Sequence, residues 1–252
     1  MDPLLDFTNK VAVITGAAQG FGELLAKELA SRGAKLVLGD VKVEDVQKVA
    51  ADINAAGGKA IALKSDVAIS ADCKAMVDVA IQEFGGVDIG VNNAGVGHPM
   101  LPTHLMEEDI FDRQMAINVK GVQFGMQYQI SQMLEQGSGV ILNVSSMAGL
   151  EGAPRLPAYS AAKHAVIGLT KTAAVEYGHK NIRVNAVCPF FALTEMVTGI
   201  ADDDMQAKMS LGTPMRRLAQ PEEIVAMMLM MLSPANTYMN GQCIALDGGH
   251  SA

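Results

Sequence analysis

Short apolar runs of four to six residues alternate along the chain with longer stretches whose apolar residues recur every three or four positions. That rhythm predicts strands and helices in alternation, hence a sheet with helices laid over it. Val11–Thr15 is apolar almost throughout, as a strand covered on both faces must be, and so reads as the first strand of a parallel sheet. A glycine-rich turn follows, then a helix with Phe21, Leu24, Leu25 and Leu29 on one stripe, stopped by Gly33. Lys35–Gly39 is the second strand, Val43–Ala56 a helix closed by Gly57 and Gly58, and Ala60–Leu63 the third strand. A helix opening near Ser70 leads to a fourth strand, Val87–Val91, and one long helical stretch from about Glu107 to Glu135 precedes the fifth, Gly139–Val144. A helix over Pro157–Tyr177 leads to the sixth strand, Ile182–Val187. Residues 190–215 are irregular, too long for a connection without a role, and read as a loop or short-helix lid. Pro221, with Glu222 and Glu223 in the first turn, opens a last helix, and Gln242–Leu246 is the seventh strand. The expectation is one α/β domain over residues 1–252, doubly wound around a seven-stranded parallel sheet with helices on both faces. Ligands then belong at the carboxyl ends of the strands.

Composition narrows the partners. Half of the 252 residues are hydrophobic, ample for a core, and no repeat or linker divides them. The net charge is −8 with no basic run, which argues against nucleic acid and anionic membranes. The longest unbroken apolar run, Ile224–Leu232, is about half of the ~20 residues that span a bilayer. The N-terminus lacks the charged and apolar regions of a secretory signal, so a cytoplasmic location is expected. Cys73, Cys188 and Cys243 are too far apart for a Cys-x-x-Cys pair and suit a reducing compartment. The five histidines show no zinc-binding spacing, so no metal is expected.

The turn after the first strand reads Thr15-Gly16-Ala17-Ala18-Gln19-Gly20-Phe21-Gly22. Its glycines let the backbone approach a pyrophosphate whose charge the helix N-terminus meets. Asp40 ends the second strand, where an acid accepts hydrogen bonds from ribose hydroxyls, or alternatively caps the next helix. A 2′-phosphate about 4 Å from that carboxylate would be repelled by roughly 4 kcal/mol at an effective dielectric near 20. Gln19 leaves the loop without a basic partner for the extra phosphate, so the expected cofactor is NAD rather than NADP. Asp66 and Val67 end the third strand, where they could meet an adenine; Asp66 is equally readable as a turn residue. Asn93, Ala94 and Gly95 end the fourth strand beside the first helix.

Tyr159 and Lys163 stand four apart on a helix and share a face. A phenol with a pKa of about 10 is a poor base at neutral pH, and a neighbouring ammonium favours its ionised form. Ser146, ending the fifth strand, could hold the same substrate oxygen. These residues, in order with Thr15-Gly16-x-x-x-Gly20-x-Gly22, Asn92-Asn93-Ala94-Gly95, Asn118 and Asn185-x-x-x-Pro189, resemble the short-chain dehydrogenase/reductase family from Lys10 to Asp247-Gly248-Gly249. The resemblance implies a Rossmann-like fold and a tetrad of Asn118, Ser146, Tyr159 and Lys163. In it Tyr159 exchanges the substrate's hydroxyl proton as hydride passes to or from the nicotinamide, and Ser146 polarises the oxygen. Lys163 lowers the Tyr159 pKa and holds the nicotinamide ribose, and Asn118 supports a proton-relaying water. Cofactor contacts are implied for Gly16, Gln19, Gly20, Phe21, Gly22, Asp40, Asp66, Val67, Asn93, Ala94, Gly95, Tyr159, Lys163, Pro189 and Thr194. It also implies a homotetramer packed through the last helix and strand.

Two positions depart from the family pattern. Phe190 stands where Gly usually follows the proline, and Phe21 replaces an aliphatic residue between the last two glycines. The apolar residues Val96, Met147, Leu150, Pro154, Leu156, Phe190, Phe191 and Met196 are expected to line the substrate pocket, which points to a small hydrophobic secondary alcohol or its ketone. The last helix is apolar around its whole circumference and so expected to be buried on all sides, as core or against a second subunit. An NAD-dependent alcohol dehydrogenase or ketone reductase is the leading expectation. A 3-oxoacyl-thioester (acyl-carrier-protein) reductase and a non-catalytic NAD-sensing scaffold stand as alternatives.

Overall fold

The structure, a computed structural model, describes residues 2–199 and 202–252. Ile200 and Ala201, inside the expected lid, lie outside the described residues. Among the described residues the strands are β1 (Val11–Thr15), β2 (Lys35–Asp40), β3 (Lys59–Lys64), β4 (Ile89–Asn92), β5 (Gly139–Val144), β6 (Ile182–Pro189) and β7 (Cys243–Leu246). The helices are α1 (Gly20–Ser31), α2 (Val43–Ala55), α3 (Ser70–Phe84), α4 (Glu108–Gln114), α5 (Gly121–Gln136), α6 (Pro157–Tyr177), α7 (Glu195–Thr198), α8 (Asp203–Ser210) and α9 (Pro221–Leu232). All strands are parallel in the order β3-β2-β1-β4-β5-β6-β7. The order reverses between β1 and β4, so a crevice opens above their carboxyl ends.

Neighbouring strand residues feed opposite faces because side chains alternate along a strand. Ile14, Leu36, Leu38 and Leu142 join Leu25 and Leu29 of α1, Ile53 of α2 and Met228 and Leu232 of α9 in one core. Val13, Val37 and Ile141 join Met76 of α3, Met126 and Met133 of α5 and Val166 of α6 in the other. Continuous apolar strands therefore follow from two covered faces.

Three expectations are corrected. β4 starts at Ile89 rather than Val87, because the Val87 amide and carbonyl pair with the Gln136 side chain (3.1 and 2.6 Å), and the Asp88 carboxylate takes the Val11 amide. The single helix expected over 107–135 is broken by a π-helical turn at Met115–Lys120, where Asn118 turns its amide toward Val96. β7 begins one residue late, the Gln242 amide being taken by the Asn185 side chain. On α9, Ile224, Val225, Met228, Leu229, Met231 and Leu232 are core, while Met230 is 44% exposed on the single chain, on the face expected to meet a second subunit if it is covered. Within the expected lid, α7 and α8 provide short helices.

Candidate active site

At the carboxyl edge of β1 the chain turns so tightly that only glycine fits. A Cβ on Gly22 would stand 2.1 Å from the Gly16 carbonyl oxygen, and one on Gly16 would stand 2.8 Å from Ala94 Cα. Gly16 is therefore in contact with the β4 loop, where the Asn93 side chain donates to the Thr15 and Gly16 carbonyls (3.0 and 2.9 Å) and Thr15 Oγ1 accepts from the Asn93 and Ala94 amides (both 3.1 Å). Gln19 is the N-cap of α1 and makes no side-chain cap. The first amides of α1, at Gly20, Phe21 and Gly22, have no acceptor within their own helix, the setting in which an anion binds. Across the crevice sits the start of α7: a Cβ on Gly20 would lie 3.4 Å from Glu195 Oε2 and 3.8 Å from Thr194 Cγ2. These residues fit a dinucleotide's pyrophosphate.

Asp40 closes β2 half-buried, with Oδ2 accepting from the Ala18 amide and Oδ1 from the Lys42 amide (both 3.0 Å). It thus braces the glycine loop and caps the following turn at once. The expectation that Gln19 has no basic neighbour is overturned: Lys42 Nζ donates to Gln19 Oε1. The spacing between residues 19 and 42 held no sign of that contact. Asp66 is a turn residue, Oδ1 accepting from the Ala68 amide at 3.0 Å, and Val67 is buried against Gly121.

The reactive groups converge above β4, β5 and β6. Asn118 is fully buried; its Oδ1 accepts from the Val96 amide, and its Nδ2 donates to the Val96 carbonyl (both 2.9 Å) and to Gln114 Oε1 (2.6 Å). Lys163, 4% exposed, donates from Nζ to the Val144 carbonyl at 2.8 Å and lies 5.5 Å from the centre of the Tyr159 ring. One of its three N–H donors is thereby used. Gly95 leaves room beside the ammonium, since a Cβ there would stand 3.5 Å from Nζ and 3.0 Å from Asn118 Oδ1. Ser146 Oγ accepts from the Ala148 amide and lies 3.5 Å from the buried Pro189's carbonyl oxygen.

The expected effect on Tyr159 is reversed. Burial raises its pKa above the ordinary phenol value, with the nearby Ser146 hydroxyl opposing, while Lys163 is itself pushed down to about 8 by burial. Spacing on a helix shows proximity, but depth in the protein sets which way a pKa moves. The phenol is held protonated, ready to give a proton.

The expected pocket residues separate. Val96 and Leu156 are half-buried. Met147 is 2% exposed and belongs to the core, whereas Leu150, Pro154 and Met196 are exposed. Phe190 and Phe191, ring centres 4.5 Å apart, line a cavity of about 170 Å³ with Met215, Ile224 and Leu246, and neither Ser146 nor Tyr159 lines it. β6 carries both rings to its far side, toward β7 and α9. Two histidines not singled out in the sequence also belong to this edge. His98 Nε2 accepts from the Tyr159 amide at 3.3 Å, and His250 bridges Glu151 and Gly212.

The family model described as enoyl-(acyl carrier protein) reductase matches residues 16–251. The chain is 40% identical to cis-4-hydroxycyclohexanecarboxylate dehydrogenase of Sinomonas cyclohexanicum over 98% of both chains. The chain belongs to the short-chain dehydrogenase/reductase family. Another member, cyclohexanol dehydrogenase of Acinetobacter sp. (strain SE19), is 37% identical over 98% of this chain and 96% of its own. Among solved structures of short-chain dehydrogenases/reductases, 3-ketoacyl-(acyl-carrier-protein) reductase from Brucella melitensis complexed with NADH superposes with a TM-score of 0.91 at 37% identity, covering 98% of this chain and 100% of that one. The chain is therefore an oxidoreductase of that family.

Proposed function

We propose that this chain is an NAD(H)-dependent dehydrogenase that interconverts a hydrophobic cyclic secondary alcohol and its ketone. The reading is carried by the Lys163 ammonium 5.5 Å from the ring of a Tyr159 whose phenol is influenced by the Ser146 hydroxyl. A bound nicotinamide supplies the hydride acceptor or donor. In reduction Tyr159 gives its phenol proton to the carbonyl oxygen, and in oxidation it takes the hydroxyl proton back. Ser146 orients that oxygen, and the buried ammonium stabilises the phenolate left on Tyr159. Asn118 holds Val96 and the β4 loop against the site. Val96 and Leu156 offer apolar contacts, and the cyclic-alcohol relatives support a ring-shaped substrate.

Asp40 favours NAD over NADP by repelling a 2′-phosphate, and Lys42 beside Gln19 reduces the margin. Among the described residues no helix is long and apolar enough to cross a membrane, in keeping with a cytoplasmic enzyme. Exposed Leu134 on α5, Val175 on α6 and Met230 on α9 support a homotetramer. A 3-oxoacyl-thioester reductase is the second reading, favoured by the likeness to the Brucella melitensis enzyme.

The test is a panel of cyclic, aliphatic and aromatic secondary alcohols with NAD or NADP, followed by absorbance of the reduced nicotinamide, beside an acetoacetyl thioester with NADH. Cyclic alcohols should be oxidised with NAD. Preferred turnover of the thioester would replace the first reading by the second. Tyr159→Phe should lose nearly all turnover and keep cofactor binding; full activity in that variant would overturn the proton-transfer role.

A further inference from the structure

Both ring nitrogens of His250 face acceptors. Nδ1 lies 2.7 Å from the Gly212 carbonyl oxygen and Nε2 lies 2.7 Å from Glu151 Oε1. A carbonyl and a carboxylate only accept, and a neutral imidazole has a single N–H. The two bonds coexist only on the doubly protonated ring. That ring is stacked on Phe190, centres 4.4 Å apart and planes 15° from parallel, an arrangement that favours a cation. The ring that replaces the family's usual glycine thus has a partner outside the cofactor site.

Four stretches distant in sequence meet at this point. Glu151 follows the Ser146 turn and is tied to it, its amide donating to the Met147 carbonyl at 3.0 Å. Gly212 closes the stretch after α8, Phe190 follows β6, and His250 sits in the C-terminal turn. That turn is itself fixed by Asp247, whose carboxylate accepts from the Gly249 and Ser251 amides and the Ser251 hydroxyl. The charged groups facing His250 are Glu151 and Asp247, both acidic. Arg217, on the cavity beyond Phe190, is paired with Glu223.

We propose that His250 is a positioning residue: as an imidazolium bridging Gly212 and Glu151, it clamps the C-terminal turn and the end of the 202–212 stretch onto the loop beside Ser146, and so sets how firmly substrate is held. The proposal rests on the substrate lying beside Ser146 and Tyr159, as in the preceding section. The clamp loosens when the ring gives up its second proton. The Gly212 carbonyl, then Glu151 and Asp247, hold that proton on to a higher pH than an ordinary imidazole does, against the opposing effect of burial.

The test uses the full-length protein, its cofactor and the best ketone of the panel, from about pH 5.5 to 9, the range that brackets imidazole titration. KM of the wild type should rise about tenfold as His250 deprotonates, equivalent to losing one charge-assisted hydrogen bond, with kcat not following that transition. His250→Gln should show the high KM at every pH, and the permanently charged His250→Arg should restore a low, pH-independent KM. Glu151→Gln provides a second variant that leaves the ring in place. By NMR, the His250 ring should titrate above the ordinary imidazole value in the wild type and lower in Glu151→Gln. A wild-type KM without this transition, a His250→Gln profile like the wild type, or a loss confined to kcat would overturn the clamp. The NMR titration needs no turnover: a His250 that titrates at or below the ordinary value refutes the clamp even if the substrate assignment stands. An elevated titration with a fully active Tyr159→Phe would support the clamp while the assigned chemistry fails.

Discussion

Replacing Lys163 by Met separates what the ammonium costs the fold from what it gives the reaction. Burial lowers its pKa from 10.5 to about 8, so the folded protein holds this proton less tightly than the unfolded chain does. The destabilisation is fully present below pH 8 and vanishes as the pH rises from there toward 10.5, the window in which the unfolded chain binds the extra proton. A shift of that size corresponds to about 3 kcal/mol. Removing the charge relieves it at neutral pH but leaves the Val144 carbonyl without its donor, a loss of roughly 1–3 kcal/mol. Lys163→Met should therefore melt at or slightly above the wild-type temperature at pH 7. Catalysis moves the other way. At 5.5 Å from the ring and an effective dielectric near 20, the ammonium favours phenolate by about 3 kcal/mol, or about two pH units. Alcohol oxidation at neutral pH should fall roughly 100-fold. The assay is kcat/KM in both directions against pH, with thermal melts of each protein. The wild-type kcat for ketone reduction should decline above about pH 8, where Lys163 loses its charge while Tyr159 stays protonated, and the variant's kcat should lack that limb while its KM still follows His250. A variant oxidising alcohol at the wild-type rate, or one melting well below wild type at pH 7, would refute the reasoning.

Other changes probe the remaining parts of the site. Asn118→Ala removes the bonds to both polar groups of Val96 and should cost about 2–4 kcal/mol in urea unfolding. Gly22→Ala forces a methyl to 2.1 Å from the Gly16 carbonyl and should abolish NADH binding in a fluorescence titration. Asp40→Ser should raise the NADP-to-NAD ratio of kcat/KM at least tenfold; equal use of both cofactors by the wild type would contradict the role given to Asp40. Light scattering at micromolar concentration should give the mass of four chains, and a monomer would exclude the tetramer.

The strands were legible because a parallel sheet covered on both faces writes itself as unbroken apolar runs. Val13 and Ile14 go to opposite cores, and a polar strand residue such as Asn143 is buried with partners, accepting from Asn92 and donating to Thr170. The π-helical turn was not legible, since an extra residue in one turn hardly disturbs the apolar period on either side. The start of β4 escaped for a different reason. Val87 is as apolar as any strand residue, and what removes it from the sheet is the side chain of Gln136, 49 positions away. In the site, the i,i+4 spacing brought Tyr159 and Lys163 together, but the direction of the Tyr159 shift depends on burial, which a spacing does not record. Phe190 stood out as a departure from a pattern and as an expected wall of the substrate pocket. Its partner His250 reaches Glu151 across 99 residues, and no local signal links them.

What sequence leaves out is concentrated at the carboxyl edge between β1, β4 and β5, and that concentration carries a physical meaning. α1 starts without a side-chain cap, and among the described residues the buried ammonium donates a single hydrogen bond, to the Val144 carbonyl. Each is unfavourable for the isolated chain, and each is relieved by a different piece of one ligand: an anion at the helix start and hydroxyls beside the ammonium. Two local costs that share one remedy are better explained by selection for binding than by two separate packing faults. Cofactor binding should accordingly stabilise this edge of the sheet beyond the effect of the contacts taken singly.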